Sequence, residues 1–297
     1  MKSSEWALMF FTLFAQTAVG LLFTLFLVNN FTNWRNGFVN NKVINDKIVF
    51  LACAILVCAL LISFFHLGNV KNAIYTLSNI FTSWLSREIL CVIIFSVLTA
   101  VFLLISTKEL CSQQTRNIVS LLSVINGFVL VFVMAKIYML QNVPAWNSIF
   151  TPTSFYFSTF IIGGFTFVTA VVFIMQKQGS SLAVFPQMVG LVKLLAGIIF
   201  ILLLVELIVW LLQVLMLSNG ERAAVESYKL IVQNNLILFA ARIILLFIGM
   251  SLVAIFYVSL SKGAFKTTYI YITYLIILIA EAIGRYLFYQ MFARIGI

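Results

Sequence analysis

The stretch VGLVKLLAGIIFILLLVELIVWLLQVLML, residues 189–217, decides the fold of this chain. It is continuous in its apolar character and longer than the roughly 20 residues a helix needs to cross about 30 Å of hydrocarbon. It shows none of the alternation of a barrel strand. Only two side chains in it ionise. Lys193 lies near one end, where its amine can reach the interface along its own apolar stem. Glu206 sits in the middle of ILLLVELIVWLL, near the membrane midplane.

Seven more stretches of the same kind lie around it, at about 6–28, 48–67, 88–106, 118–140, 155–175, 240–260 and 268–290. The 297 residues are 63% hydrophobic and 9% charged, too little polar surface for a water-soluble domain of this size. The predicted fold is all-α: a polytopic bundle of eight transmembrane helices forming a single membrane domain over residues 1–297. The connections 29–47, 68–87 and 218–239 are too short to fold independently. The first stretch is too long for a signal-peptide core, carries Glu5 beside Lys2 and precedes no clear small-x-small cleavage site, so it is expected to be a retained helix.

The formal net charge of +10 does not indicate nucleic acid, because the basic residues are scattered singly through loops. Their distribution favours, by eight to six, an orientation with both termini outside the cytoplasm. Cys53, Cys58, Cys91 and Cys111 form no Cys-x-x-Cys pair, so neither zinc nor iron–sulfur ligation is supported and no metal is expected. His66 is the only histidine, which rules out a bis-histidine haem site.

The remaining ionisable residues in the apolar stretches sort to one side. With eight spans, even-numbered helices end and odd-numbered helices begin on the face that carries the termini. Glu5, His66, Glu88, Lys136, Arg242, Glu281 and Arg285 all map to that half, and only Lys193 enters an apolar stretch from the other. A charge in hydrocarbon costs about 2.5–3.5 kcal/mol on insertion scales, so such groups face partners or cavities. One polar cavity in this half is the expectation, with interfacial anchoring as the plainer alternative.

Within it, His66 at the exit of the second span and Glu88 at the entry of the third return to the same surface. An imidazole beside a carboxylate can hydrogen-bond a hydroxyl and take its proton, as quinol oxidation requires. Each also has a structural reading, as a helix-end cap. Between them Val70, Ile74, Leu77, Phe81 and Trp84 recur at helical spacing and predict an amphipathic interfacial helix. Glu281 and Arg285, four apart with the acid first, predict an intrahelical clasp or a proton path. Lys136 and Arg242 are available to Glu88, Glu206 or Glu281. The uncharged loop QNVPAWNSIFTPTS, 141–154, reads as a rigid aromatic cap on the same surface.

EWALMFFTLFAQ (5–16), HLG (66–68) followed by SRE (86–88), YMLQNVPAWNSIFTP (138–152) and EAIGRYLFY (281–289) together carry a resemblance over nearly the full length. The protein resembles the membrane anchor subunits of dimethyl sulfoxide reductase. That resemblance implies a haem-free anchor of the bacterial inner membrane that oxidises menaquinol in anaerobic respiration. It implies electron transfer to an iron–sulfur subunit and through it to a molybdopterin subunit that reduces S- or N-oxides. It also implies that His66 and Glu88 are the quinol-site residues, the protein itself not catalysing the terminal reduction. The family tends to have arginine where this sequence has Lys136, and HLGNVKN lacks the proline common after HLG. Two other readings compete: the anchor of a polysulfide, thiosulfate or tetrathionate reductase, and, from a different class, a secondary transporter. The last would call for inverted repeats and broken helix pairs, which are not evident here.

Overall fold

The structure is a computed structural model that describes residues 3–31, 42–65, 77–179, 186–262 and 267–295. Among these residues there are nine α-helices: α1 Ser3–Phe31, α2 Lys42–Ser63, α3 Trp84–Thr107, α4 Gln113–Tyr138, α5 Phe150–Lys177, α6 Pro186–Ser218, α7 Arg222–Val232, α8 Leu236–Ser261 and α9 Thr267–Gln290. All except α7 are long and apolar enough to cross a membrane. The eight expected spans are each present; most ends extend by a few residues, whereas the helices at 48–67 and 118–140 stop early, at Ser63 and Tyr138.

The helix ends follow local chemistry. Ser83 caps α3 by accepting from the Ser86 backbone N–H, and Ser112 caps α4 by accepting from that of Thr115. Pro152 lies in the first turn of α5, where its missing N–H breaks no helical bond. The position of Glu88 differs from the expectation. Because α3 starts at Trp84, Glu88 stands in its second turn and not at its first residue, so it is not a helix-end cap.

The spans assemble as two four-helix rings. In the first, α1 packs on α2, α2 on α3, α3 on α4 and α4 back on α1. In the second, α5 packs on α6, α6 on α8, α8 on α9 and α9 back on α5. The rings meet along α1 and α5, the two most deeply buried spans. Their crossing is possible only because two glycines face each other. A Cβ on Gly163 would lie 2.4 Å from Gly20 Cα, and one on Gly20 would lie 2.0 Å from the Thr159 carbonyl oxygen. Small residues that let backbones touch are the usual means of close helix packing where lipid competes with side chains for apolar contact.

The connection 218–239, where the sequence suggests only a loop, contains the helix α7. It buries Ala224, Ser227 and Ile231 against the ends of α6, α8 and α9 and turns Glu221, Arg222, Glu226 and Lys229 outward. Residues 70–76 of the expected interfacial helix over 70–84 lie outside the described residues, and 77–83 do not form an α-helix. Its described end is a single 3-10 turn, Leu77–Asn79, followed by a turn to Ser83. There Arg87 donates to the carbonyls of Ile80 and Phe81 at 2.9 and 2.7 Å and stacks over Trp84.

Candidate functional site: a buried charge cluster beside Glu88

Four of the ionisable residues in the apolar stretches converge at the core of the second ring. Arg242, near the start of α8, donates to Glu206 Oε1 of α6 at 2.9 Å, with both side chains almost wholly buried. The guanidinium also lies 4.3 Å from the centre of the Trp210 ring and against α9 at Gly284. A Cβ at Gly284 would come within 2.6 Å of the Arg242 Cζ, so glycine there makes room for the charge. Of the three carboxylates the sequence leaves open to Arg242, Glu206 is the one Arg242 pairs with.

Glu281 and Arg285 project from α9 into the same space, but not as the direct clasp their spacing predicts. Among the described residues no oxygen of Glu281 lies within 4 Å of an Arg285 nitrogen. Ser158 of α5 stands between them: its hydroxyl donates to Glu281 Oε2 at 2.6 Å, while Arg285 Nη2 approaches its oxygen at 3.4 Å. Arg285 donates instead to Gln16 Oε1 of α1 at 2.9 Å and lies over Phe155, 3.7 Å from the ring centre. A planar guanidinium can do both at once, which an ammonium cannot. Gln16 and Ser158 are polar, uncharged and buried. Nothing in the sequence singles them out, because only the packing of α1 and α5 carries them to Arg285.

Glu88 lies in the first ring, buried, in the second turn of α3. Among the described residues it has no ion-pair partner within 4 Å. It is within electrostatic reach of Cys91 and of two tyrosines, Tyr138 and Tyr289. The tyrosine hydroxyls are 3.0 Å apart and bridge the end of α4 to the end of α9, and Tyr289 also lies near the Thr12 hydroxyl of α1. Arg285 is close enough to act on both phenols. The hydroxyl pair is thus within electrostatic reach of both Glu88 and the charge cluster. Lys136 joins neither group; its amine lies 5.6 Å from the centre of the Trp84 ring. His66 lies outside the described residues, and the side chain of Glu5 is likewise not described.

The expected loop 141–154 ends at Ile149, because α5 starts at Phe150, and its residues 141–149 close this end. Trp146 is buried, donates from Nε1 to the Phe288 carbonyl at 2.8 Å, and stacks on the Phe288 ring at 5.5 Å. Ile295 N–H donates to the Asn142 carbonyl at 2.9 Å, tying the C-terminal segment to the loop. Gln213 of α6 donates to the Ala145 carbonyl at 3.2 Å.

The opposite end is more polar than the sequence suggests. Because α2 starts at Lys42, its first turns carry Asp46 and Lys47 as well. Lys42, Asn45, Asp46, Ser106, Glu109 and Arg116 are among the residues around a cavity of about 260 Å³. Lys42 pairs with Glu109 at 2.5 Å and Ser106 donates to Asp46 Oδ1 at 2.5 Å. The pairing with Lys42 holds the exposed Glu109 carboxyl below its ordinary range. Lys193 enters from this side, as expected, with its amine 4.8 Å from the centre of the Tyr257 ring. Among the described residues no three His, Cys, Asp or Glu side chains are grouped to hold a metal ion.

Eight apolar spans in two rings, with a buried charge cluster capped at one end, define a multi-pass α-helical membrane protein. It belongs to the DMSO reductase anchor subunit (DmsC) family, whose model matches residues 1–291. It is similar to the C subunit of the anaerobic dimethyl sulfoxide reductase of Haemophilus influenzae, 28% identical over 98% of this sequence and 96% of that one. It is also similar to the corresponding C subunit from Escherichia coli, 23% identical over the same shares. The resemblance drawn from motifs therefore extends over the whole fold, and the role it supports is that of a membrane anchor subunit.

Proposed function

We propose that this protein oxidises menaquinol at the capped end of the first ring and passes both electrons directly to a docked iron–sulfur subunit. From there they reach a molybdopterin subunit that reduces an S- or N-oxide such as dimethyl sulfoxide. The observation that carries the reading is Glu88: a buried carboxylate with no ion-pair partner among the described residues, set beside a tyrosine hydroxyl pair under an aromatic cap. A buried carboxylate without a cation beside it is equipped to accept a proton. Oxidation of the quinol to the quinone releases two protons and two electrons. Glu88 accepts the proton of one quinol hydroxyl, and His66, the second proposed quinol-site residue, hydrogen-bonds the other hydroxyl and accepts its proton.

In this reading the anchor needs no haem or metal of its own, so the quinol must lie within tunnelling distance of the partner's nearest cluster. That puts the iron–sulfur subunit on the face formed by 68–87, 141–154 and 218–239. The protein acts as one membrane domain over 1–297 in the bacterial inner membrane, with both termini on the periplasmic side. Alone it is not an enzyme for the terminal reduction. The family match supports dimethyl sulfoxide over polysulfide, thiosulfate or tetrathionate as the terminal acceptor, and supports an anchor over a transporter.

The test compares two electron donors in the assembled complex. With Glu88→Gln or His66→Ala, reduction of dimethyl sulfoxide driven by a menaquinol analogue is expected to fall at least roughly tenfold, the scale of losing a general base. Reduction driven by a reduced viologen, which supplies electrons to the partner subunits directly, is expected to persist. Equal loss with both donors would show an assembly defect and remove these residues from quinol chemistry.

A further inference from the structure

The carboxyls of Glu206 and Glu281 each have one oxygen satisfied and one not. Glu206 Oε1 accepts from Arg242, and Glu281 Oε2 accepts from Ser158. Glu206 Oε2 and Glu281 Oε1 are buried without a donor, in residues only 3% and 1% exposed. Both carboxyls line the same small buried space. Two unsatisfied acceptor oxygens that share a low-dielectric space repel, and neighbouring carboxylates there do not both stay ionised. Neither cation donates to these two oxygens: Arg242 reaches Glu206 Oε1, and Arg285 reaches Gln16 and Ser158 and lies over the face of Phe155.

We propose that Glu206 and Glu281 form a proton-binding site, in which Glu281 Oε1 carries one proton and donates it to Glu206 Oε2. All four carboxyl oxygens are then satisfied, and the negative charge rests on Glu206, opposite Arg242. The charged groups facing the pair are Arg242 from α8 and Arg285 from α9; Ser154 and Ser158 of α5 and Trp210 and Gln213 of α6 help to line the same small space. The site does not depend on the quinol reading, since it rests only on the geometry of the second ring. Its rival is a water molecule donating to both oxygens; the cavity, about 20 Å³, has room for one. That arrangement leaves both carboxyls charged.

The two arrangements respond differently to an isosteric amide. If Glu281 is the protonated partner, Glu281→Gln keeps every bond, because the amide N–H donates to Glu206 and its oxygen accepts from Ser158. The full complex should then assemble in wild-type amount, whereas Glu206→Gln, which takes the anion from Arg242, should reduce it several-fold. The infrared spectrum of the wild-type complex in membranes should contain a carbonyl band of a buried carboxylic acid that Glu281→Gln removes. The exposed control Glu226→Gln should leave that band in place. If Glu281→Gln lowers the amount of complex as much as Glu206→Gln, or if it assembles and removes no such band, both carboxyls are ionised and the proton site is excluded.

Discussion

The hydroxyls of Tyr138 and Tyr289 meet at 3.0 Å although 151 positions separate them, and through them the last residue of α4 touches the end of α9. This contact joins the ring that holds Glu88 to the ring that holds the charge cluster. Tyr289 also lies near the Thr12 hydroxyl, whereas the contact with Tyr289 is the one hydrogen bond of the Tyr138 hydroxyl among the described residues.

Tyr138→Phe is therefore expected to let Tyr289 turn to the neighbouring Thr12 hydroxyl and to cost about 0.5–1.5 kcal/mol, the net worth of one hydrogen bond. Tyr289→Phe strands the Tyr138 hydroxyl in a buried site and should cost more, about 1–3 kcal/mol. Unfolding of the two variants in the same detergent gives the comparison. A larger loss for Tyr138→Phe would show that the hydroxyl pair is wired differently.

The α1–α5 seam gives a steric prediction. Gly163→Ala places a methyl group 2.4 Å from the backbone of Gly20, and backbone cannot yield as a flexible side chain would. The rings must move apart, so the yield of folded protein is expected to drop sharply. Gly197→Ala meets nothing closer than 3.6 Å and should be tolerated. Size-exclusion profiles of the two variants check this, and a normal profile for Gly163→Ala would contradict the packing.

At the opposite end, Lys42 holds the Glu109 carboxyl below its ordinary range. A depressed carboxylate adds stability that is present above its unfolded titration and is lost as pH falls through the folded one. Both side chains are exposed, so the effect on stability is small and screened by salt. Lys42→Ala should return the Glu109 titration to the usual carboxylate range, followed by nuclear magnetic resonance of labelled glutamate. An unchanged titration would mean the pair does not form in solution.

Much of this arrangement is legible in the sequence, for a simple reason. A helix in lipid must be apolar along its whole length, so spans announce themselves one by one, and their alternating direction sorts Glu88, Arg242, Glu281 and Arg285 to one half. Which spans are neighbours is a tertiary fact that periodicity does not encode. Glu206 finds Arg242 across 36 positions because α6 packs on α8, and Ser158 displaces the clasp that Glu281 and Arg285 would form on an isolated helix. Tyr138 and Tyr289 carry no signal of their pairing, since single tyrosines near span ends are ordinary interface residues. The α7 helix is hidden because its apolar face is narrow and lies between two long apolar runs. His66, the other half of the expected quinol site, lies outside the described residues.

The proposed docking face can be mapped by labelling in a background lacking the four native cysteines. Cysteines at Asn147 and Glu226, both exposed at the capped end, should react in the anchor alone and become protected when the iron–sulfur subunit binds. A cysteine at Gln113, exposed at the opposite end, should react equally in both states. Protection at Gln113 with free access at the other two would put the partner on the wrong face for direct transfer.

The central claim is that Glu88 lies on the route by which quinol electrons enter the partner. Its most direct test is a single turnover: the complex is mixed with a menaquinol analogue, and reduction of the partner's iron–sulfur clusters is followed by electron paramagnetic resonance. The wild-type complex should fill the clusters within one turnover. Glu88→Gln should slow that step at least roughly tenfold, while dithionite reduces the same clusters fully. Cluster reduction by the quinol at the wild-type rate in Glu88→Gln would contradict the account.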